Sequence, residues 1–443
     1  MNGPPTHRDE QLPRGIRRRA MTLAYVNAAI WAVGNGLVPT ILVIYLALDR
    51  GATNADLSLI LAAPNFAGML RLAAPALLAW LRHRKAFCVG AYLASAVVLL
   101  AVPAIAAPSI SLGLLTGMTG LVVAWCAYHL LEYLGTIALW SWLGDLAPPR
   151  VCGRFCGHRE RWLVGGRIAG IVGSVALASL WRLEDPTAPS SEPLAWSAAI
   201  GAAMMALAVV PLALMPAIDA TPSATPRTPW RAVLRATFRA PYRQLVLYSC
   251  FHSMVHGITR SAQSAYPRDI LGVSYPTIQA LTGMMRAGQT LVAPRQGRWC
   301  DLWGSRPVMV LSLLAVSTGP LFFIAATPAH WWWLVGAYVV WIAYAGLNVG
   351  FDAIKLKLAP RDNNVPYLAV YFALGDCVLG ATTVAVGMGM DRLIDAGYPS
   401  ASVYVGVFVA GWLGRLLGVP LLMRIPEPGA LRLRDVLTRR IDR

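Results

Sequence analysis

Long apolar runs recur along the whole chain and are separated by short polar connections. Each run has about 20 residues or more, the length that a helix needs to cross the hydrocarbon core of a bilayer. None alternates polar and apolar positions as a barrel strand does, so the pattern predicts an all-α membrane protein. The twelve predicted transmembrane helices are 21–47, 55–80, 86–107, 112–145, 162–181, 193–216, 243–266, 274–294, 307–327, 331–357, 366–390 and 399–423.

The composition is that of a chain whose main solvent is lipid. Of the 443 residues, 57% are hydrophobic and 13% are charged, whereas soluble domains carry about 25% charged residues. The formal net charge of +17 also occurs in nucleic-acid-binding proteins. Here, however, the basic residues interrupt apolar runs and form no continuous basic surface, so we expect the lipid bilayer and no nucleic acid as partner.

The distribution of basic residues predicts the topology, because Lys and Arg accumulate in short loops on the cytoplasmic side. With the amino terminus inside, the only basic residues in outer loops are Arg50, Arg182, Arg268 and Arg392. We therefore expect both termini in the cytoplasm and a location in a bacterial inner (plasma) membrane.

The longest polar connection divides the twelve helices into two sets of six. It contains an amphipathic stretch around Trp230, Arg231 and Phe238 that we expect on the inner membrane surface. The predicted organisation is a cytoplasmic tail 1–20, a six-helix bundle 21–216, a cytoplasmic linker 217–242, a second six-helix bundle 243–424 and a cytoplasmic tail 425–443.

Corresponding loops of the two halves are similar, which indicates an internal repeat. Leu146-Ala147-Pro148 follows the fourth helix, and Leu358-Ala359-Pro360 follows the tenth. The loop after the eighth helix contains Gly297, Asp301, Gly304 and Arg306, whereas the loop after the second has Trp80 at the position of the Asp and His83 at that of the second Gly.

This loop pattern resembles the inner-loop signature of the major facilitator superfamily, and the resemblance covers nearly the whole chain. It implies two pseudo-symmetric six-helix bundles, a small-molecule substrate, no cofactor and a monomeric carrier. It also implies that Gly297, Asp301, Gly304 and Arg306 act in gating, whereas the copy at Trp80 departs from the signature. Asp352, near the inner end of the tenth helix beside Lys355, is interpreted as part of a gate salt bridge.

Polar residues spaced by three or four positions lie on one face of the first, fourth, seventh and tenth helices. Interhelical hydrogen bonding is the plain explanation for a single such residue, but the stripe on the seventh helix favours a lined cavity. In the resembled family these four helices line the central cavity. The predicted cavity residues are Asn27, Trp31, Asn35, Trp125, His252, His256, Arg260, Gln263, Arg286, Tyr344 and Asn348.

Three ionisable residues within predicted helices are candidates for proton coupling: His129, Glu132 and Asp376. An unpaired carboxylate in the membrane is costly and tends to hold a proton, which imidazole exchanges near neutral pH. The alternative for Glu132 is a static ion pair with Arg71 or Arg167, and the sequence leaves both readings open.

Four arginines fall towards the inner ends of helices: Arg71, Arg167, Arg286 and Arg415. Snorkelling to the headgroups accounts for Arg415 and Arg71 without a function. Arg286 lies deeper and, together with Arg260 from the outer third of the seventh helix, is placed to bind an anionic group. Cationic groups outnumber acidic ones in the predicted helices, which slightly favours an organic anion or zwitterion as substrate.

Two further classes of function are disfavoured by the sequence. Cys152, Cys156 and His158 do not complete the four ligands of a closed zinc site, so we expect loop thiols and no metal. A phosphate-binding Gly-rich loop and a hydrolase nucleophile motif are both missing from the sequence, so we expect no enzyme.

The prediction is a secondary active transporter that moves a small solute by alternating access, with a proton or another ion as coupling partner. The alternatives are a transport-inactive sensor or assembly factor, and a lipid or amphiphile flippase.

Overall fold

The computed structural model of the chain describes residues 13–48, 60, 64–65, 67–81, 83–106, 118–184, 191–217, 237–239, 241–273, 275–359 and 364–438. Within these ranges the regular structure is helical throughout. The helices are α1 Arg14–Leu37, α2 Thr40–Leu48, α3 Ala74–Leu81, α4 Arg84–Leu99, α5 Ala101–Ala106, α6 Met118–Leu146, α7 Cys152–Glu184, α8 Ser191–Leu207, α9 Val209–Leu214, α10 Tyr242–Asp269, α11 Tyr275–Leu302, α12 Ser305–Ser317, α13 Gly319–Ala325, α14 Trp333–Val340, α15 Tyr344–Leu358, α16 Val365–Asp395, α17 Ser400–Met423 and α18 Leu433–Thr438.

Nine helical segments within the described ranges are long and apolar enough to cross a membrane, and the chain is an integral membrane protein. Helices α10 and α11, with 28 residues each, are also long enough to cross a membrane. They are not among the nine apolar segments, because they carry many polar side chains. The predicted second helix, 55–80, lies partly outside the described residues, as does most of the predicted linker 217–242.

The fifth transmembrane helix starts earlier in the chain than the sequence predicts. It was expected at 162, but α7 starts at Cys152 after a short 3-10 turn at Pro149–Val151. The interpretation of Cys152 and Cys156 as loop thiols is therefore wrong, because both lie in the first turns of α7 and are buried.

The chain forms two compact units. Unit 1 comprises Met1–Phe155, Gly165–Arg227 and Pro360–Val365, and unit 2 comprises Cys156–Val164, Thr228–Ala359 and Pro366–Arg443. Each unit thus takes most of one sequence half and a short segment of the other. Residues Cys156–Val164 of α7 belong to unit 2, and the segment Pro360–Val365, which ends at the first residue of α16, belongs to unit 1.

Glycines allow close helix packing in unit 1. A Cβ at Gly166 of α7 would lie 2.5 Å from the carbonyl oxygen of Ala29 in α1, and a Cβ at Gly170, one turn later, would meet the carbonyl oxygen of Val33. The two backbones therefore approach as closely as small-residue helix interfaces in membranes permit.

Side chains satisfy the carbonyl groups at two helix breaks in unit 1. Pro39 ends the first predicted helix early, since it cannot donate to the helix ladder, and the hydroxyl of Ser197 donates to the free carbonyl of Leu37 at 2.8 Å. The side-chain amide of Asn27 donates at 2.8 Å to the carbonyl of Ala208, between α8 and α9. A freed backbone group within the membrane requires such a partner.

Unit 2 contains a buried carboxylate at the junction of α11 and α12. Gly304 makes the turn with a positive φ of 98°, and the amides of Ser305 and Arg306 donate to the carboxylate of Glu427 at 2.9 and 2.7 Å. The ammonium group of Lys357 donates to the same carboxylate at 2.8 Å. Glu427 thus neutralises both a helix amino terminus and a lysine.

We expect Glu427→Ala to destabilise the protein strongly. The substitution removes the carboxylate that pairs with Lys357 and accepts from two helix amides, and removing one member of a buried pair costs about 3–5 kcal/mol. The midpoint of thermal unfolding in detergent measures the effect. The partly exposed Asp435, which pairs with Arg434 at 3.4 Å, provides the control. Asp435→Ala should change stability by less than about 1 kcal/mol, and equal effects of both variants would refute the role of Glu427.

A second prediction concerns the contact of α7 with α1. Gly170→Ala should destabilise the protein by about 1–3 kcal/mol, because the new methyl group meets the backbone of Val33. Gly173→Ala on the same helix is the matched control, since its Cβ would make an ordinary contact of 3.5 Å with Leu37. Thermal unfolding of both variants in detergent tests this, and an unchanged midpoint for Gly170→Ala contradicts it.

Candidate functional site

An aromatic and ionisable cluster lies on α6 in unit 1. The ring of His129 packs edge-on against Trp125, with 4.5 Å between ring centroids, and against Tyr128 at 4.7 Å and Tyr133 at 5.5 Å. Glu132 lies one turn further along the same face. We call Trp125, Tyr128, His129, Glu132 and Tyr133 the α6 cluster.

The carboxylate of Glu132 faces the imidazole of His129. Its Oε2 atom lies 3.6 Å from Nδ1 of His129, and both side chains are about nine-tenths buried. Among the described residues, His129 is the only ionisable side chain paired with Glu132, and neither ring nitrogen has a hydrogen-bond partner. The static pairing of Glu132 with Arg71 or Arg167, left open by the sequence, is not what the described contacts show.

Three polar residues from other elements surround the α6 cluster. Asn35 of α1 and Arg167 of α7 both act on the Tyr128 hydroxyl, which donates to the sulfur of Met205 at 3.9 Å. The guanidinium of Arg71 lies 3.7 Å from the centroid of the Tyr133 ring, a cation–π contact. Arg71 is only 6% exposed, so the prediction that it snorkels to the headgroups is wrong.

The other predicted cavity residues of α1 have different surroundings. Asn27 is buried and donates to the Ala208 carbonyl, so it connects helices within unit 1. Trp31 packs beside the hydrophobic core of this unit, and its indole nitrogen is buried without a hydrogen-bond partner among the described residues.

A second cluster lies between α10 and α15 in unit 2. The rings of His252 and His256 stack with 6.4 Å between centroids. Phe351 lies 5.2 Å from His252 and 5.6 Å from Tyr248, and Tyr344 lies edge-on to His256 at 6.4 Å. We call Tyr248, His252, His256, Tyr344 and Phe351 the α10 cluster.

The remaining predicted site residues of α10, α11 and α16 differ in how exposed their side chains are. Arg260 is exposed, and Gln263 is partly buried with an amide nitrogen that lacks a partner within the described residues. Arg286 donates to the side chain of Gln289 at 3.2 Å. Asp376 is partly buried in α16 and has polar or electrostatic partners of its own.

Two predicted residues of α15 have polar partners. The amide of Asn348 donates to Glu160 at 3.0 Å, where Glu160 belongs to the segment of α7 that clusters with unit 2. Asp352 pairs with Lys355 at 2.5 Å on the same helix. The expected ion pair of Asp352 is therefore present, although its action as a gate stays a prediction.

The predicted signature residues form a structural turn in unit 2. Gly297 and Asp301 lie in the last turns of α11, Gly304 makes the turn, and Arg306 donates through its guanidinium to the carbonyl of Ile425 at 3.1 Å. A Cβ at Gly157 of α7 would lie 3.0 Å from the Cα of Gly297, so these two glycines permit a close helix approach.

An ion pair occupies the corresponding region of unit 1. Arg84, at the start of α4, lies 2.5 Å from the carboxylate of Asp145 near the end of α6 and also donates to Ser141 at 2.8 Å. Ser141 in turn donates to Asn364 at 2.5 Å. The side chain of Trp80, which replaces the signature Asp, lies outside the described residues.

The side chains of the α6 and α10 clusters are not a suitable set of ligands for a metal ion. Among the described residues there is no group of three or more His, Cys, Asp and Glu side chains arranged to hold a metal ion. The two imidazoles of the α10 cluster would supply only part of a coordination shell.

Sequence reasoning missed three residues that the structure makes prominent. Glu427 could have been noticed as a carboxylate shortly after the last apolar run, and Asp145 as a carboxylate at the end of the fourth. Arg415 was expected to snorkel, but it is 3% exposed and donates to the Thr259 hydroxyl at 3.1 Å. No sequence pattern signals that inward orientation.

Comparison with known proteins supports the fold. No protein-family profile and no curated protein matched the sequence. Among solved structures, the chain is similar to the transporter FucP in its outward conformation, with a TM-score of 0.67, 14% identity and coverage of 90% of this chain and 98% of that one. It is also similar to a bacterial homologue of the iron transporter ferroportin, with a TM-score of 0.65, 14% identity and coverage of 93% and 99%.

A third similar structure is the human organic anion transporter MFSD10, with a TM-score of 0.66, 13% identity and coverage of 93% of this chain and 100% of that one. These similarities extend over almost the full length of each chain. They confirm the predicted resemblance at the level of architecture: the chain has the fold of the major facilitator superfamily.

Proposed function

We propose that the protein is a secondary active transporter that moves a small solute across the membrane. The observation that carries the proposal is the pair of ionisable clusters on α6 and α10, two long helices of a membrane protein. Such groups are costly in lipid and usually mark the path of a substrate or ion. In an alternating-access cycle, each cluster faces water on one side of the membrane at a time.

His129 and Glu132 are the proposed proton-coupling pair. At 3.6 Å the two groups are close enough to share a proton after a small side-chain movement, and no described arginine neutralises the carboxylate. Similar structures include a fucose:proton symporter and a proton:xylose symporter. Asp376 in α16 is the second candidate for this role.

The α10 cluster and Arg260 are the proposed contacts for the solute. Stacked imidazole and phenyl rings offer flat apolar surfaces with polar edges, which suit an aromatic or amphipathic compound. The positive charge of Arg260 favours an organic anion or zwitterion. The human protein with a similar structure is described as an organic anion transporter.

The turn around Gly304 is the proposed gate element of unit 2. Glu427 and Lys357 fix the turn, and Asp301, Arg306 and the pair of Asp352 with Lys355 surround it with charges. In unit 1 the pair of Arg84 with Asp145 takes the place of the degenerate signature. Both elements would break and re-form as the transporter changes conformation.

We expect Glu132→Gln to abolish coupled proton movement and to preserve solute exchange. The amide keeps the shape and hydrogen-bonding capacity of the side chain but cannot release a proton. The measurement uses proteoliposomes that contain a pH-sensitive dye. Benzoate, succinate, phenylalanine and fucose are added in turn, to represent anions, a zwitterion and a sugar, and labelled forms report exchange.

Asp391→Asn is the matched control for Glu132→Gln, because Asp391 is an exposed carboxylate near the end of α16. It should leave proton movement and exchange unchanged. Normal solute-evoked acidification in the Glu132→Gln variant would refute the coupling role. Solute binding by the unmodified protein without any flux would instead favour a sensor or assembly factor over a transporter.

A further inference from the structure

The two imidazoles of the α10 cluster have free hydrogen-bonding capacity. His252 and His256 stack on each other, and His252 contacts the tilted rings of Tyr248 and Phe351, but no described residue hydrogen-bonds their ring nitrogens. Both side chains are partly exposed, although each lies within a helix of unit 2. The ring nitrogens are therefore available to a ligand.

The charge of a buried arginine acts on these imidazoles. The guanidinium of Arg415 in α17 donates to the Thr259 hydroxyl at 3.1 Å and to the Gly411 carbonyl at 3.3 Å. Within the described residues it has no carboxylate partner. Its charge acts on both His252 and His256.

The closeness of α10 and α17 keeps this arginine in place. A Cβ at Gly411 would overlap the methyl group of Thr259, and a Cβ at Gly414 would lie 2.8 Å from the side chain of Val255. These glycines let α17 approach α10 closely. Arg415 is consequently held against the helix that carries the imidazoles, and its charge cannot reach the headgroups without a change in packing.

The charges around the imidazoles are positive. Arg260 and Arg415 both act on His256, and Arg415 also acts on His252. A divalent cation would be repelled here and would find only two ligands. A neutral polyol would gain nothing from the positive field. An anion would be attracted by the arginines and could accept hydrogen bonds from the imidazole N–H groups.

The aromatic side chains around the imidazoles indicate which group should accompany the anionic group in the ligand. Tyr248 and Phe351 stack at 5.6 Å and both contact His252, and Tyr344 lies edge-on to His256. A flat ring attached to the anionic group would pack among these side chains.

We propose that His252, His256 and Arg415 form the subsite for the carboxylate of an aromatic monoanion. The carboxylate of the ligand accepts hydrogen bonds from the two imidazoles, and the positive charge of Arg415 compensates its negative charge. The aromatic ring of the ligand lies against Phe351. The proposal rests on the proposed function, since it gives a chemical class to the solute that the α10 cluster binds.

Binding to the purified full-length protein tests the proposal without requiring transport. Benzoate is compared with benzamide, which has the same shape but no charge, and with cyclohexanecarboxylate, which has the charge but no aromatic ring. Isothermal calorimetry should show benzoate bound about tenfold or more tightly than benzamide, because hydrogen bonds to charged groups are the stronger ones.

Variants assign the binding to the subsite. His256→Asn should weaken benzoate binding about tenfold and leave thermal stability unchanged, because the imidazole has no hydrogen bond within the described residues to lose. Arg415→Met should remove the preference for benzoate over benzamide, and Arg415→Lys should restore part of it. Arg424→Gln removes an exposed charge just beyond α17 and should leave binding unchanged.

The outcomes separate this proposal from the proposed function. Equal binding of benzoate and benzamide, no binding of benzoate at about 10 mM, or unchanged binding by His256→Asn overturns the subsite. If benzoate binds as expected but no solute crosses the membrane, transport fails and the subsite stands. If another solute is transported while benzoate does not bind, transport stands and the subsite fails.

Discussion

A polar side chain within the hydrocarbon region must find a hydrogen-bond partner or face water, and this requirement explains most differences among the helices of this chain. Asn27 and Ser197 meet it by donating to carbonyls at helix breaks. Arg71 is stabilised in a different way, by a cation–π contact with the ring of Tyr133. These residues stabilise the helix packing, and their presence needs no transported solute.

In the α6 and α10 clusters, by contrast, several polar groups lack a hydrogen-bond partner within the described part of the chain. The imidazoles of His129, His252 and His256 have ring contacts, but their nitrogens have no hydrogen-bond partner among the described residues. Glu132 faces one of these imidazoles at a distance beyond a normal hydrogen bond. This difference between satisfied and unsatisfied polar groups separates structural residues from candidate functional ones.

Much of the fold could be predicted from the sequence, because helix length and hydropathy are local properties. The apolar runs and the Gly297 to Arg306 signature were enough to indicate the superfamily fold. The start of α7 was missed, since its first turns contain Cys152, Arg154 and Arg159 and do not look like membrane helix. Helix α10, despite its polar stripe, was predicted nearly to its bounds.

The site could be predicted only in part, because periodicity shows which residues share a helix face and not what that face meets. Trp125, His129 and Glu132 share one face and do lie together. Asn27 follows the same rule on α1 but is turned towards α8 and α9. Arg415 and Glu427 depend on contacts between residues far apart in the chain, which no local pattern encodes.

Water access to the two clusters tests the central claim most directly. His256→Cys and Glu132→Cys, each introduced into a variant without the seven native cysteines, are treated with a membrane-impermeant maleimide in vesicles of either orientation. The account predicts that both positions react and that Val255→Cys, 2% exposed at the native residue, does not. Failure of both positions to react from either side would contradict it.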